Sequence, residues 1–449
     1  MTFCSGAEAQ QTDPWTSTSV DKGPTVSKMV KCGRTGKRRP ALFISTVSVA
    51  VMRFPLPADT FPTLSLPLDD QDTLKNLASA FIDDAVVQYR AFRQNDAIDD
   101  ARWKLIKKRD GLSSYLDREL GDPAATRNSV RESVGSMTFS RKLHGVLTVG
   151  TIDGSLNDQM YGMHHCTMEL MRIKSAYMVD KIADGKILSE ICAPTVEDPV
   201  HGLYIKWSVS DFAPAWLKKV IRPRDFVFLD GTGMIEDDST GEKIGYSLMH
   251  SLQIPDIREL TDHQIVRGTL SIVALFRQVS PGVVHVFMKG FVDSMGDIHT
   301  SVAIPATAEA LMSYRRGVYC GQMKKLNWLL KTKKTVVLDR ASGVCSICQR
   351  TVKKASSTCQ VCMNQVCSSC SAMQKLAFLS TSRRIVRRNL TFCASCLRVA
   401  ALADGLDVAA EELRSQNPLE FFELSSNDSG TPASPSNSTL PDIQQEFFG

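Results

Sequence analysis

Apolar residues recur at helical spacing over residues 72–93, where Leu74, Leu77, Phe81, Ala85, Val86 and Tyr89 form one stripe, and this predicts an amphipathic helix. Alternating and β-branched runs then predict strands at 103–108, 136–149, 203–209, 226–229, 244–251, 265–279 and 283–292. Turn pairs such as Asp110-Gly111, Asp230-Gly231 and Pro281-Gly282 bound several of them, and the last reads as a hairpin. In the final strand Val284, Val286 and Met288 share one face while Val283, Phe287 and Phe291 share the other, so both faces are expected to be covered. Helical spacing returns over 305–330 with Ala308, Leu311, Tyr319, Met323, Leu326 and Leu330, and Pro305 is expected to start that helix. A helix, many antiparallel strands and a closing helix make an α+β layout in which a curved sheet and one long helix can enclose a cavity.

The 449 residues are 43% hydrophobic, enough for one sizeable core and a small appended module. The expected organisation is a disordered basic segment at 1–51, a main domain at 70–331, a cysteine-rich module at 337–400, a helical segment at 401–424 and a disordered tail at 425–449. The first segment has an apolar stretch at 41–52 after Lys37, Arg38 and Arg39, which reads as a weak mitochondrial presequence or as an upstream translation artefact with Met52 as the working start. No apolar run is long enough for a transmembrane helix. Residues 397–414 read as one helix with an acidic face.

Chemistry concentrates in the cysteines. Eight of thirteen form four CxxC pairs: Cys345/Cys348, Cys359/Cys362, Cys367/Cys370 and Cys393/Cys396. Two such pairs complete one tetrahedral thiolate site for Zn²⁺, so four pairs predict two structural zincs. Only four residues separate the second and third pairs, which favours interleaving. Cys345, Cys348, Cys367 and Cys370 then hold the first zinc, and Cys359, Cys362, Cys393 and Cys396 the second. The module has few large apolar residues, so metal is expected to supply much of its folding energy, on the order of 10–16 kcal/mol per zinc. From 340 to 398 it carries ten Lys/Arg and no acid. Lys353, Lys354, Arg383, Arg384, Arg387 and Arg388 are the candidates for an anionic partner surface. Without interleaved aromatic residues, a nucleic-acid partner is not expected.

The cysteine frame, with Asp339 six residues before Cys345, resembles the FYVE zinc finger. That resemblance implies docking on endosomal membranes carrying phosphatidylinositol 3-phosphate. Val336 replaces the family's tryptophan, and its basic signature falls on Ala355, Ser356, Ser357, Thr358, Cys359 and Gln360, none of them arginine or histidine. The main domain resembles the START lipid-binding domain, a helix-grip fold, through residues 103–115, Arg224-Asp225-Phe226-Val227 and 246–255. The combination is similar to START–FYVE proteins numerous in oomycetes. It implies a cytoplasmic lipid-binding, lipid-sensing or transfer protein, peripheral on endosomal membranes, whose finger meets a membrane or a small GTPase. Phe287, Met288, Leu311, Tyr319, Met323 and Leu326 are the candidate cavity lining.

The rival expectation is a non-catalytic scaffold with a filled core and a protein-binding finger, favoured by the lost basic signature. No enzyme is expected. His164, His165 and Cys166 are read as a helix surface after a break at Gly162, Gly231-Thr232-Gly233 as a turn without the helix of a phosphate loop, and Arg224 and Asp225 as a surface pair.

Overall fold

The computed structural model describes residues 54–57, 59–95, 98–118, 144–178, 180–210, 221–296, 298–332, 343–352 and 357–424. The helix α1 (Leu68–Asn95) has Asp69 and Asp70 in its first turn and Arg93 in its last, as the helix dipole favours. Its buried stripe is Ala78, Ile82, Ala85, Val86 and Tyr89.

The strands follow: β1 (Trp103–Arg109), β2 (Leu112–Asp117), β3 (Gly145–Asp153), β4 (Ile182–Cys192), β5 (Gly202–Ser210), β6 (Arg224–Glu236), β7 (Lys243–Ser251), β8 (Val266–Arg267), β9 (Thr269–Ser280) and β10 (Val283–Asp293). They form one sheet in the order β1-β2-β3-β10-β9-β7-β6-β5-β4, antiparallel throughout, with β8 pairing β6 in parallel. β2 and β4 were not expected from the alternation, and residues 136–143 of one expected strand lie outside the described residues.

The sheet has two unlike faces. On the outer face Leu147, Val149, Leu203, Leu229, Leu248, Val273, Leu275 and Phe287 pack against α1. Over the inner face lie α2 (Leu156–Met163), α3 (Met168–Met178), α4 (Thr300–Met312) and α5 (Gly317–Thr332). The closing helix is therefore not continuous. It starts at Thr300 with His299 as cap, holds Pro305 in its interior, and is broken by a 3-10 turn over Ser313–Arg316. A proline at 305 removes one intrahelical hydrogen bond but does not end the helix.

Gly162 does not break α2. A Cβ there would lie 1.9 Å from Gly317 O, and one at Gly321 would lie 2.2 Å from Asp158 O. These glycines let α2 and α5 cross backbone to backbone.

The cysteine-rich module contains β11 (Ser357–Thr358), β12 (Gln365–Val366), the hairpin β13 (Ser371–Leu379)–β14 (Ile385–Cys393), and α6 (Ala394–Leu402). The helix expected over 397–414 is two, because the chain turns at Ala403 and Asp404 caps α7 (Gly405–Arg414) by accepting from Leu406 N. A 3-10 turn over Pro418–Phe422 closes the segment.

The expectation of a module without an apolar core is corrected by the hairpin. Leu376, Ala377, Phe378, Leu379 and Phe392 are buried and belong to the same cluster as Leu311, Met323, Leu326 and Leu329 of the closing helices. Burial of each large side chain contributes roughly 1.5–3 kcal/mol, so packing supplies part of the module's stability. The seam is also polar. Ala377 N donates to Tyr177 Oη (2.6 Å), and Asn327 Nδ2 donates to Ala377 O (3.2 Å). Lys325 Nζ reaches Asp158 Oδ2 (2.9 Å) and caps the end of α6 through Ala401 O and Ala403 O. Tyr161 donates to the buried carboxylate of Glu412 on α7.

Candidate functional site

Cross-strand register sorts the inner face into rows. One runs Gly202, Thr232, Ser247, Ala274, Met288, Thr148, Ser114. The next runs Tyr204, Asp230, Met249, Ile272, Gly290, Val146. Most of these side chains are small or polar, where the outer rows hold Leu, Val and Phe.

Within that face lies a buried charged pair. Lys206 Nζ donates to Asp230 Oδ2 at 2.6 Å and to His165 O at 3.0 Å, and its ammonium sits 4.5 Å from the Tyr204 ring centre. Lys206 is 1% exposed and Asp230 5%. Burial pulls the Lys206 pKa down, against the pull of Asp230. His164 Nδ1 meets Thr232 Oγ1 at 3.3 Å, and His165 Nε2 stands 3.8 Å from Asp230 Oδ2. Burial drives His164 down to about 3 and lowers His165 as well, so both are neutral at pH 7. Tyr204 Oη and His164 Nε2 are buried and make no hydrogen bond among the described residues. Buried polar atoms left without partners cost about 1–3 kcal/mol each, which makes this corner of the core a place where a polar group is wanted.

His164 and His165 are thus corrected from a helix surface to the interior, where α2 ends against β6. Burial pushes the Cys166 thiol up, the opposite of an activated nucleophile. Arg224 and Asp225 are also buried: Asp225 accepts from Trp207 Nε1 (2.8 Å) and Arg267 Nη2 (2.9 Å) and fastens β5, β6 and β8 together.

Toward the far end of the inner face, Phe226, Phe228 and Leu270 form a cluster separate from the one beneath the closing helices. Half-buried Met249 and Val292 touch both. Met249 stands directly across from Asp230. Of the residues expected to line a cavity, Met288, Leu311, Met323 and Leu326 are buried together under the closing helices, and Tyr319 packs edge-on against Tyr177. Phe287 lies on the outer face, 5.3 Å from the Tyr89 ring and 5.5 Å from Phe92.

The eight thiols form two groups. Cys345, Cys348, Cys367 and Cys370 lie within 4.8 Å of one another, as do Cys359, Cys362, Cys393 and Cys396. The Sγ–Sγ separations of Cys348–Cys367 and Cys362–Cys393 are 3.8 Å. A tetrahedron with Zn–S bonds of about 2.3 Å has an edge of about 3.8 Å, so the donor set fits zinc. Backbone N–H groups already point at sulfur, from Cys393 to Cys359 (3.3 Å) and Cys396 to Cys393 (3.4 Å). The fold thus forms two Cys4 groups able to hold metal, each too dense in sulfur for four thiolates to share without a cation.

Arg383, Arg384 and Arg387 gather at the β13–β14 turn, whereas Arg388 pairs with Leu376 on the other face of the hairpin from Arg387 and Ala377. Lys353 and Lys354 lie outside the described residues. Among the described residues no helix is long and apolar enough to cross a membrane.

No protein-family model and no curated relative matches the sequence. Solved structures similar to the chain include human StAR-related lipid transfer protein 5, at 14% identity and TM-score 0.38, covering 56% of this chain and 98% of that one. Another is a fragment of a STAR-related lipid transfer protein from Xanthomonas axonopodis, at 13% identity and TM-score 0.30, covering 49% and 99%. These likenesses leave the family of the chain open.

Proposed function

We propose that the chain binds a lipid between the inner face of its sheet and the closing helices, as a lipid sensor or carrier without bond chemistry. The observation that carries this reading is the Lys206–Asp230 pair with its unsatisfied neighbours, Tyr204 Oη and His164 Nε2, set beside the apolar cluster of Phe226, Phe228 and Leu270, with Phe228 directly across from Lys206. A ligand with an apolar body and one polar end satisfies both parts: Met249, Val292, Phe226 and Phe228 take the body, and the polar corner takes the end. Burial of the apolar body stabilises the complex by roughly 25 cal/mol per Å². The START resemblance agrees with this use of the fold.

Two structural Zn²⁺ ions hold the finger, and the basic finger brings the protein to an anionic membrane or to a membrane-associated partner such as a small GTPase, in the cytoplasm or at endosomes. The second reading is an interaction scaffold. It is favoured by the dense packing of Met288, Leu311, Met323 and Leu326, which fill the space directly under the helices.

Native mass spectrometry after incubation with a mixed lipid extract separates the two. The lipid reading expects an adduct of lipid mass that is lost in the Lys206→Met/Asp230→Leu double variant; the scaffold reading expects a bare, metal-loaded chain.

A further inference from the structure

A pocket of about 860 Å³ opens at the seam between α3, the start of β4 and the β13–β14 turn. Arg172 reaches it from α3, and Arg383, Arg384 and Arg387 reach it from the hairpin. Met168, Met171 and Ile182 also line it. We propose that this seam is a binding site for a ligand carrying a terminal phosphate group, assembled only when the cysteine-rich module is docked on the sheet domain. The proposal deepens the membrane-docking part of the reading above and is independent of any ligand under the closing helices.

Four guanidinium groups face one recess, and Asp184 is the single carboxylate among the lining residues. That carboxylate is buried, accepts from Leu56 N at 2.7 Å and pairs with Arg172 at 3.8 Å, so it offsets part of the charge of that one arginine. Arg383 pairs with Glu423 at 2.8 Å. Arg384 and Arg387 are exposed, and no acid pairs with either among the ion pairs described. Cations gathered in this way repel one another, and a multiply charged anion offsets that repulsion.

The geometry is also fixed in advance. Arg172 Nη1 donates to Arg383 O (3.3 Å), and Arg387 Nη2 donates to Ala176 O (3.1 Å), so each side of the seam holds the other's guanidinium at its edge. The turn is pinned by Arg383 N to Ser380 O (2.8 Å) and Arg384 N to Ser380 Oγ (3.1 Å), with Arg383 in the left-handed region at φ 57°. Pre-positioned planar forks suit the oxygens of a phosphate group, which arginine grips in bidentate fashion. Because Arg172 is half-buried inside the recess, a projecting phosphate reaches it and a flat layer of charge does not.

The test uses the full-length, zinc-loaded chain. Calorimetry with inorganic pyrophosphate is run beside flotation on vesicles containing phosphatidic acid, or phosphatidylserine at matched total charge. The proposal expects binding of pyrophosphate or preferential flotation on phosphatidic acid. Arg384→Gln and Arg387→Gln should each weaken it about tenfold, and Arg388→Gln, on the other face of the hairpin, should leave it unchanged. Flotation on phosphatidic acid that pyrophosphate blocks identifies a lipid headgroup, and pyrophosphate binding without flotation identifies a soluble ligand. Failure to bind either probe, or equal weakening by Arg388→Gln, overturns the site in favour of none or of diffuse charge. The lipid adduct measured by mass is read separately in the same Arg384→Gln protein, so loss of one site is not mistaken for loss of the other.

Discussion

The two faces of the ten-stranded sheet are made by the same strands but are filled in different ways. The outer face is a continuous apolar layer, Leu147 through Phe287, closed by the regular stripe of α1. The inner face alternates serine, threonine, glycine and alanine with a buried lysine–aspartate pair, and four helices and a metal-binding module are stacked above it. A face built only for stability has no need of that pair, because well-packed apolar residues of similar volume are commonly as stable or more so. The proposed function uses this contrast, with support from one face and binding at the other.

The largest expected effect comes from metal removal. Chelation should withdraw on the order of 10 kcal/mol per site from the module, and the shared cluster carries the loss to the inner face. Hydrogen exchange should show protection falling in β13, β14 and α5 while α1 and the outer strands keep theirs. Uniform loss across both faces would erase the distinction. Next comes the charged pair itself. Asp230→Leu alone strands a buried ammonium and should cost about 3–5 kcal/mol, whereas Lys206→Met with Asp230→Leu should restore most of the stability, read by denaturant unfolding. On the outer face Leu229→Ala should cost about 2–5 kcal/mol and leave any bound ligand unchanged.

The smallest effect is on pH. His164, held down to about 3 by burial, must stay neutral in the folded chain, so the unfolded chain binds more protons between its ordinary value near 6.5 and about 3. Stability present above pH 6.5 should therefore fall as the pH drops through that window, by at most about 1.4 kcal/mol per pH unit for each histidine. His165 is shifted in the same direction, and His250 on the outer face, pulled down to about 4, gives the same sign. Replacing His164 with Gln should flatten the slope without abolishing it, as measured by melting temperature against pH.

The stripe of α1 was readable in the sequence because one-sided burial writes a clean period, and so was the inner-face run Val284, Val286 and Met288 of β10, whereas the outer positions of that strand include His285 and Lys289. The polar part of the inner face was not. β2 carries Ser113 and Ser114 where an apolar alternation would be sought, and register shifts at three places along β4 break its period of two. In β5 both faces are buried, so Lys206 gave no sign of pointing inward. Pairing of His164 with Thr232 and of Lys206 with Asp230 is tertiary and has no local signature. The CxxC pairs were legible because their chemistry is local. The docking of their hairpin was not, because Phe378 and Phe392 become a core against helices that lie both earlier in the chain, at Leu326 and Leu329, and later, at Leu397, Ala400 and Val408.

In the proposed function the inner face holds a lipid at the Lys206–Asp230 corner. The most direct measurement is a native mass spectrum of the full-length chain after exposure to a mixed lipid extract, beside the Lys206→Met/Asp230→Leu protein. The account predicts two metal ions and one lipid adduct on the parent chain, with the metals kept and the adduct gone in the variant. A folded, metal-loaded parent chain that stays bare, or a variant that binds lipid equally well, would contradict it.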